Sequence, residues 1–430
     1  GAHVSMKLLI EKAERITGES SVPSSKSHTI RAFVFASLAE GRSVLQNALE
    51  SEDTRAVIEA CSALGADISK RGEGGFEIAG FEGHPNVRRD KINTLNSGTT
   101  TNFIASVAAL ADKKIIIDGD ESIRRRPVQP LLSALNNLGA RAFSIKNNGC
   151  PPLEVQGRMT GGRTALDCRS SQYLSSLLIS CPLLEQDTEI EAMNCCELPY
   201  IQMTLRWLDE LGISYENRDF KKILIHGKQE YPAFMKTIPS DWSSATFILA
   251  AAAMLGDSVV VKNLDLEDAQ ADKEVLNYLQ RMGSDIKVEP KMIIVNRSEL
   301  HGCELDLNNT PDALPAIAVL GCFAEGKTTL KNVAHARIKE TDRIRVMTEE
   351  LSKMGAKIKE TDDGMIIEHS QLVGAKLNGH GDHRVVMALS LAGLIAEGKT
   401  EIETAEAIKV TFPNYVEVMK NLGARMRIED

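Results

Sequence analysis

Six times along this chain a helix-like segment runs into an apolar residue, a glycine and a small or β-branched residue, and then into a short apolar strand. The copies are Leu64-Gly65-Ala66, Leu138-Gly139-Ala140, Leu211-Gly212-Ile213, Met282-Gly283-Ser284, Met354-Gly355-Ala356 and Leu422-Gly423-Ala424. Their glycines stand 74, 73, 71, 72 and 68 residues apart, so six units of nearly constant length account for the 430 residues. Self-similarity at a fixed period marks a repeat architecture. A glycine after the last periodic residue ends a helix because it takes the left-handed conformation that side chains resist. Each stop leads into a strand such as Ala66-Asp67-Ile68, Ala140-Arg141-Ala142-Phe143 or Ala356-Lys357-Ile358. A second marker, where an apolar helix turns into a strand, reads Ala39-Glu40-Gly41-Arg42-Ser43-Val44, Gly256-Asp257-Ser258-Val259-Val260, Ala324-Glu325-Gly326-Lys327-Thr328-Thr329 and Ala396-Glu397-Gly398-Lys399-Thr400-Glu401. A unit that mixes strands with two helices predicts an α/β protein.

With 43% apolar residues the chain can fill two cores, and two globules of three units each is the economical division. A net charge of -9 excludes a general nucleic-acid or acidic-membrane surface, while leaving room for a local basic pocket. The eight cysteines contain no C-x-x-C pair and are expected to be reduced, mostly packing residues of a cytoplasmic protein. Gly1 to Ser5, ahead of Met6, reads as a cloning remnant rather than a signal. No apolar run approaches the roughly 20 residues that cross a bilayer, so a soluble protein is expected. No set of His, Cys and Asp residues has metal-ligand spacing, and no metal is expected.

Gly321 to Thr328 and Gly393 to Thr400 both satisfy the nucleotide-binding pattern G-x-x-x-x-G-K-[ST]. That loop needs a strand before it and a helix after it, so that backbone N–H groups face the phosphates. Here the order is reversed: Ile317 to Phe323 and Leu389 to Ile395 read as helix, Thr329 to Val333 and Glu401 to Glu403 as strand. Both matches also fall at one place in the repeat, where Gly41-Arg42-Ser43 is a third version, so both are read as structural turns.

Function belongs where the units differ. In Pro23-Ser24-Ser25-Lys26-Ser27-His28-Thr29-Ile30-Arg31, hydroxyls open a helix with Lys26, Ser27 and Arg31 inside two turns. Hydroxyls, a point charge and a planar fork beside free N–H groups suit an anion such as phosphate or carboxylate; the plain alternative is a capped helix with solvated charges. Asn96-Ser97-Gly98-Thr99-Thr100, Arg124-Arg125-Arg126-Pro127 and Ser170-Ser171-Gln172-Tyr173 are similar, and for the last simple capping competes strongly. In the second half, Pro311-Asp312-Ala313, Lys339-Glu340-Thr341-Asp342-Arg343 and Gly381-Asp382-His383-Arg384 stand at helix starts. A net-acidic chain that concentrates cations at helix N-termini is built for a small polyanion.

The motifs SSKSHTIR, NSGTT, RRRPVQPL, SSQYLSSLL, LPYIQMTL, NTPDALPAIA, RIKETDRI, GDHRVVMALSLAGL and TFPNY span almost the whole chain. Together they resemble the 3-phosphoshikimate 1-carboxyvinyltransferase (5-enolpyruvylshikimate-3-phosphate synthase) branch of the enolpyruvyl transferase family. The UDP-N-acetylglucosamine branch shares the architecture but normally carries a catalytic-loop cysteine and other substrate residues, and RIKETDRI with SSQY favours the shikimate branch. The resemblance implies two similar domains, each of three βαβαββ units arranged as an inverse half-barrel, with the active site in the interdomain cleft. It implies one discontinuous domain of residues 1–22 and 240–430, a second of residues 23–239, and hinges near 19–23 and 237–241, where Pro239-Ser240-Asp241-Trp242 is a turn-rich break.

The reaction it implies is transfer of the enolpyruvyl group of phosphoenolpyruvate to the 5-hydroxyl of shikimate 3-phosphate with release of phosphate. No cofactor is implied, the partners are these small molecules, and a monomer is expected. By motif position Lys26, Gly98, Arg126, Arg343, Arg384 and Lys409 are similar to the phosphoenolpyruvate site. Lys26, Ser27, Arg31, Ser170, Ser171, Gln172, Tyr200, Asp312, His335 and Lys339 are similar to the shikimate 3-phosphate site. Asp312 corresponds to the base for the hydroxyl, Glu340 to the carboxylate that exchanges a proton with the methylene carbon, and Lys26 shares the proton work. Four positions depart from the pattern. Glu197 stands where a serine is usual, Asn102 where arginine is common, His335 where asparagine is common, and Val410 where many members have lysine, with Lys409 one residue earlier. A one-residue shift in a strand turns a side chain to the other face, which would keep Lys409 from the site.

Overall fold

The computed structural model describes residues 5–430. Residues 1–4, most of the expected N-terminal remnant, lie outside it. The chain divides into two compact units, one of residues 1–23 and 239–430 and the other of residues 24–238.

Each unit holds three four-stranded sheets of one topology. The simplest copy is strand Lys91–Asn93, helix Gly98–Ala108, strand Ile115–Asp118, helix Gln129–Asn137, and strands Arg141–Ser144 and Leu153–Gln156. The first two strands pair in parallel through the first helix, and the last two form a hairpin that pairs back antiparallel to the second. This is the βαβαββ unit. The copies Gly162–Ile225 and Glu304–Glu368 repeat it with the same pairings.

Three copies are completed by strands from far along the chain. Met235–Thr237 supplies the first strand of the copy that begins with helix Lys26–Leu38, pairing in parallel with Arg42–Gln46. Ile16–Ser20 opens the copy built on helix Trp242–Leu255. Lys7–Glu11 closes the last copy, between Lys399–Glu403 and Arg425–Glu429. Met235–Thr237 and Ile16–Ser20 thus form the edges of their sheets and Lys7–Glu11 an interior strand, so each of these copies reaches four strands.

The glycine stops behave as their sequence context demands. Gly65, Gly139, Gly212, Gly283, Gly355 and Gly423 all have positive φ, between 75° and 117°. In the second marker Gly41, Gly326 and Gly398 are left-handed as well. Gly256 breaks the pattern: it is extended, Ser258 takes the left-handed place at φ 50°, and the strand shifts register between Asp257 and Val259. A Cβ on Gly256 would lie 2.5 Å from the Ala252 carbonyl oxygen, so close approach rather than turn geometry requires the glycine. The two apparent nucleotide loops are helix ends, with helices Leu314–Phe323 and His383–Ile395 running into strands Lys327–Lys331 and Lys399–Glu403.

The first helix of every copy is buried nearly all round. Every residue of Trp242–Leu255 is buried, as are nine of the ten in Leu314–Phe323. In the unit of residues 24–238, Ser176 Oγ donates to Asn102 O (2.6 Å) and Ser106 Oγ to Ser176 O (2.9 Å). These bonds align helices Gly98–Ala108 and Ser171–Ser180 in parallel, so their N-terminal turns lie side by side. Side-chain oxygens cap these central helices: Ser25, Ser97 and Ser170 in one unit, Asp241 and Asp382 in the other.

Candidate active site

In the unit of residues 24–238 the candidate residues gather at the N-terminal turns of its three central helices. Lys26 opens helix Lys26–Leu38, and its ammonium lies 3.2 Å from the carboxylate of Asp53, a buried residue of helix Glu52–Ala63. Arg31, one turn on, is 2% exposed and donates to Thr204 Oγ1 (2.9 Å), Ser27 O (3.1 Å) and Tyr200 O (3.2 Å), with its guanidinium over the Phe103 ring. Burial draws its pKa down to about 10, against the Tyr200 phenol, which acts to raise it. Three of its five N–H groups are therefore spent on the protein, tying the Lys26 helix to helix Leu198–Glu210, which carries the half-buried Tyr200.

The R-R-R run separates into different jobs. Arg124 is bound to Asp118 through two bonds (3.1 and 2.9 Å) and Arg125 is exposed. Arg126 turns the other way, donating to Asn96 Oδ1 (3.2 Å) and Ser122 Oγ (3.1 Å). Gly98 sits against it, since a Cβ there would stand 2.6 Å from Arg126 Nη1. Gln172 receives Asn102 Nδ2 (2.8 Å) on its oxygen and donates to Thr99 Oγ1 (2.9 Å), so both ends of its amide are oriented. Asn102, where an arginine is common, thus braces a candidate binding residue. Ser170 caps its helix by accepting from Gln172 N, and Ser171 is buried in the first turn. Glu197, also buried, is the left-handed residue (φ 55°) that starts the helix carrying Tyr200.

In the other unit, one guanidinium organises the candidates. Arg343 opens helix Arg343–Lys353, is fully buried, and reaches Asp382 through Nε (2.9 Å) and Nη2 (3.1 Å), Asp312 through Nη1 (2.9 Å), and Glu340 through Nη2. Asp312, in the short turn Pro311–Ala313, also lies 3.7 Å from Arg384 Nη2. Asp382 accepts from the Arg384 backbone (3.0 Å) and from Thr341 Oγ1 (3.0 Å), so it caps its helix and clamps Arg343 at once.

Burial acts to lower the Arg343 pKa, but Asp382, Glu340 and Asp312 together outweigh it and the pKa is raised. For Asp382 burial acts upward and Arg343 prevails, leaving the carboxyl below its ordinary range. Asp272 behaves differently: it is 1% exposed, neither carboxylate oxygen has a donor in hydrogen-bonding geometry, and burial together with Asp312 pushes its pKa up to about 7. The Ser243 hydroxyl and Arg384 favour its charged form too weakly to reverse this.

Lys339 is half-buried next to Glu340, and His335 Nε2 lies 2.9 Å from Asn308 O. Lys409 requires a correction. Residues Ala405–Val410 form a 3-10 helix, not a strand, so the face-flip argument does not apply; a one-residue step there turns a side chain by about 120°. Lys409 is exposed on that turn. Sequence spacing also passed over one group of metal-ligand types, since Glu340, Asp382 and His383 bring ligand atoms within 4.8 Å of one another. Arg343 donates to both carboxylates, and a cation placed there would have to displace a buried guanidinium, so the donor set does not fit a metal.

Asp53, Asp272 and Thr204 were missed by sequence reasoning. Asp53 lies in the first turn of a capped helix and reads as dipole compensation; Asp272 has no motif around it; Thr204 is a mid-helix hydroxyl.

A family model described as EPSP synthase (3-phosphoshikimate 1-carboxyvinyltransferase) matches residues 10–419. A protein of Acetivibrio thermocellus named 3-phosphoshikimate 1-carboxyvinyltransferase is 52% identical, covering 97% of this chain and 98% of its own. One of the same name from Methanocella arvoryzae is 42% identical over 96% and 98%. Among solved structures, an EPSP synthase of Acinetobacter baumannii superposes with a TM-score of 0.82 at 25% identity, over 99% of this chain and 100% of that one. The same architecture is thus kept where three quarters of the residues differ. No helix among the described residues is long and apolar enough to cross a membrane.

Proposed function

We propose, because the chain belongs to the EPSP synthase (3-phosphoshikimate 1-carboxyvinyltransferase) family, that it transfers the enolpyruvyl group of phosphoenolpyruvate to the 5-hydroxyl of shikimate 3-phosphate and releases phosphate. The observation that carries the reading to particular residues is the buried Arg343, shared by Asp312, Glu340 and Asp382. This reaction needs a fixed cation for a substrate anion and two carboxylates that exchange protons, and that cluster supplies all three.

Arg343 and Arg384 are assigned to the anionic groups of phosphoenolpyruvate, as are Arg126 and Lys26. Three carboxylates share two guanidiniums before substrate arrives. Anionic substrate then takes up part of the cationic field that stabilises the carboxylates, which raises their proton affinity. Glu340 in its acid form protonates the methylene carbon as Asp312 accepts the proton of the attacking hydroxyl, and a C–O bond forms at the adjacent carbon. In the second step Glu340 recovers a proton from the new methyl group, the C–O bond to phosphate breaks, and the proton held on Asp312 leaves with it as hydrogen phosphate. Asp382 holds Arg343 in register throughout, as a positioning residue.

Ser170, Ser171, Gln172 and Tyr200 bind shikimate 3-phosphate together with Ser27 and Lys339. Serine hydroxyls and helix N-termini suit its phosphate, and the doubly anchored Gln172 amide supplies an oriented contact. Arg31 contributes to this subsite mainly by fixing helix Leu198–Glu210. The enzyme is proposed to act as a soluble cytoplasmic monomer.

The test is phosphate release from phosphoenolpyruvate with shikimate 3-phosphate as acceptor, beside UDP-N-acetylglucosamine in a parallel reaction. Release with the first acceptor alone is expected, and Glu340→Gln should abolish it with phosphoenolpyruvate binding retained. Silence with shikimate 3-phosphate, or equal release with both, overturns the assignment.

A further inference from the structure

We propose that Cys168 and Cys195 form a dithiol pair whose oxidation to a disulfide locks the helix starts that carry the shikimate 3-phosphate contacts. The inference rests on the functional reading above for its consequence, and on backbone geometry for the bond itself.

Strands Gly162–Asp167 and Thr188–Met193 pair in parallel with Asp167 opposite Met193. The ladder continues one step, as Cys168 N donates to Met193 O (2.7 Å). A regular parallel ladder would return the next bond from residue 195 to Cys168 O. Instead Cys196 N makes it, at 3.2 Å, so one extra residue bulges from the second chain. Asn194, left-handed at φ 56°, and Cys195 together face Cys168, between the hydrogen bonds on either side of them. Neighbouring strands lie about 4.8 Å apart, within the Cα separation of about 4.4–6.8 Å that a disulfide spans.

The two thiols are near enough to shift each other's ionisation, while Cys168 Sγ donates to Leu166 O (3.6 Å) and Cys195 Sγ to Phe220 O (3.6 Å). Cys168 lowers the Cys195 pKa against partial burial and Asp167, whereas Cys168 itself, beside Cys195 and fully buried, is pushed up. Cys195 is partly exposed and is the attacking sulfur; Cys168 resolves. With hydrogen peroxide, the Cys195 thiolate takes one oxygen to become a sulfenic acid and hydroxide leaves. Cys168 sulfur then attacks that sulfur, the S–S bond forms, and water departs with the Cys168 proton. Two thiols and one peroxide give one disulfide and two waters.

The location gives the bond its effect. Cys168 stands two residues before Ser170, the cap of helix Ser171–Ser180, and Cys195 two residues before Glu197, where helix Leu198–Glu210 begins. Joining the two sulfurs at about 2.05 Å shifts both turns relative to each other. A displacement of about 1 Å in a positioning element can cost up to about a hundredfold in rate.

The experiment oxidises the full chain with hydrogen peroxide, alkylates remaining thiols, and maps disulfides by mass spectrometry after digestion. A Cys168–Cys195 peptide two hydrogens lighter than its reduced parts is expected, together with a rise of about tenfold in KM for shikimate 3-phosphate, reversed by a dithiol reductant. Cys168→Ser and Cys195→Ser should each keep reduced-state kinetics and lose the response to peroxide. Persistent oxidation of Cys195 with Cys168 still alkylatable after unfolding, or a bond to Cys196 instead, overturns the pairing. A mapped bond with unchanged acceptor kinetics overturns its control of the subsite. A reduced protein that releases no phosphate sinks the enzymatic reading, while the disulfide map still decides the bond.

Discussion

Asp272 gives the sharpest test of the electrostatics around Asp312 and Arg384. Its carboxyl is buried with neither oxygen in good hydrogen-bonding geometry, and burial, Asp312 and Asp241 lift its pKa from 3.8 to about 7 against the pull of the Ser243 hydroxyl and Arg384. An acid raised in the folded state is destabilising wherever the unfolded chain would ionise it. Its contribution is therefore most favourable below the unfolded value near 3.8, is lost as pH rises, and levels off once folded Asp272 ionises above about 7. The cost grows by about 1.4 kcal/mol per pH unit across that window and reaches about 4 kcal/mol at its top.

Asp272→Asn is neutral at every pH and keeps the shape of the acid form. Urea unfolding of both proteins from about pH 5 to about pH 8 isolates Asp272 together with its interacting neighbour Asp312, because titrations remote from them cancel in the difference. The variant should gain on the wild type by about 2–3 kcal/mol between about pH 5 and about pH 7, and the gap should then flatten. A gap independent of pH, or a variant that loses ground as pH rises, would refute the reasoning. Tyr278 also feels this carboxylate, and its pKa is pushed up to about 12, mainly by burial, so it stays protonated and does not distort the curve.

Gly98→Ala places a methyl 2.6 Å from Arg126 Nη1 and must displace that guanidinium; KM for phosphoenolpyruvate should rise about tenfold, ~1.4 kcal/mol, with the acceptor's KM nearly unchanged in steady-state kinetics. Asp382→Ala strips the buried Arg343 of its doubly bonded partner and should cost about 3–5 kcal/mol in denaturant unfolding as well as activity. Glu197→Gln keeps the left-handed backbone and removes a carboxylate from the turn that precedes Tyr200. If that charge faces the substrate phosphate at about 4 Å the repulsion approaches 4 kcal/mol, and a severalfold lower KM for shikimate 3-phosphate is expected; an unchanged KM would mean that Glu197 points away.

The glycine stops were legible because a helix end is decided by a few neighbouring residues and by the one residue type that accepts positive φ freely. The closure of the copies was not. Met235–Thr237 pairs with Arg42–Gln46, and Lys7–Glu11 sits between two strands from the far end of the chain; no local pattern announces partners that distant. The candidate site divides in the same way. Lys26, Asp312, Glu340 and Arg343 stand out as charges at helix starts. Asp53 and Asp382, the partners of Lys26 and Arg343, look like a dipole-compensating acid and a cap, because in sequence a cap and a clamp are the same residue. Asp382 is both, accepting from the Arg384 backbone and from Arg343 with one oxygen.

That double use suggests how one repeat came to carry two chemistries. The first helix of each copy is buried nearly all round and needs an oxygen to satisfy its leading N–H groups. In the unit of residues 24–238 that oxygen is a serine hydroxyl, at Ser25, Ser97 and Ser170. A neutral cap leaves the positive end of the helix uncompensated and can still donate a hydrogen bond, which suits a phosphate. In the other unit the caps of two central helices are Asp241 and Asp382, and Asp312 stands just ahead of the third. A carboxylate there cancels the helix charge, repels a bare phosphate, and recruits a guanidinium such as Arg343. The result is a set of acids whose proton affinity is set by burial on one side and arginine on the other, the condition for proton transfer near neutral pH. Choosing hydroxyl or carboxylate at one repeated position thus lets the serine-capped helices meet an anion directly, while the carboxylate-capped ones meet it through arginine and add acid and base chemistry, without any change in the fold that presents them.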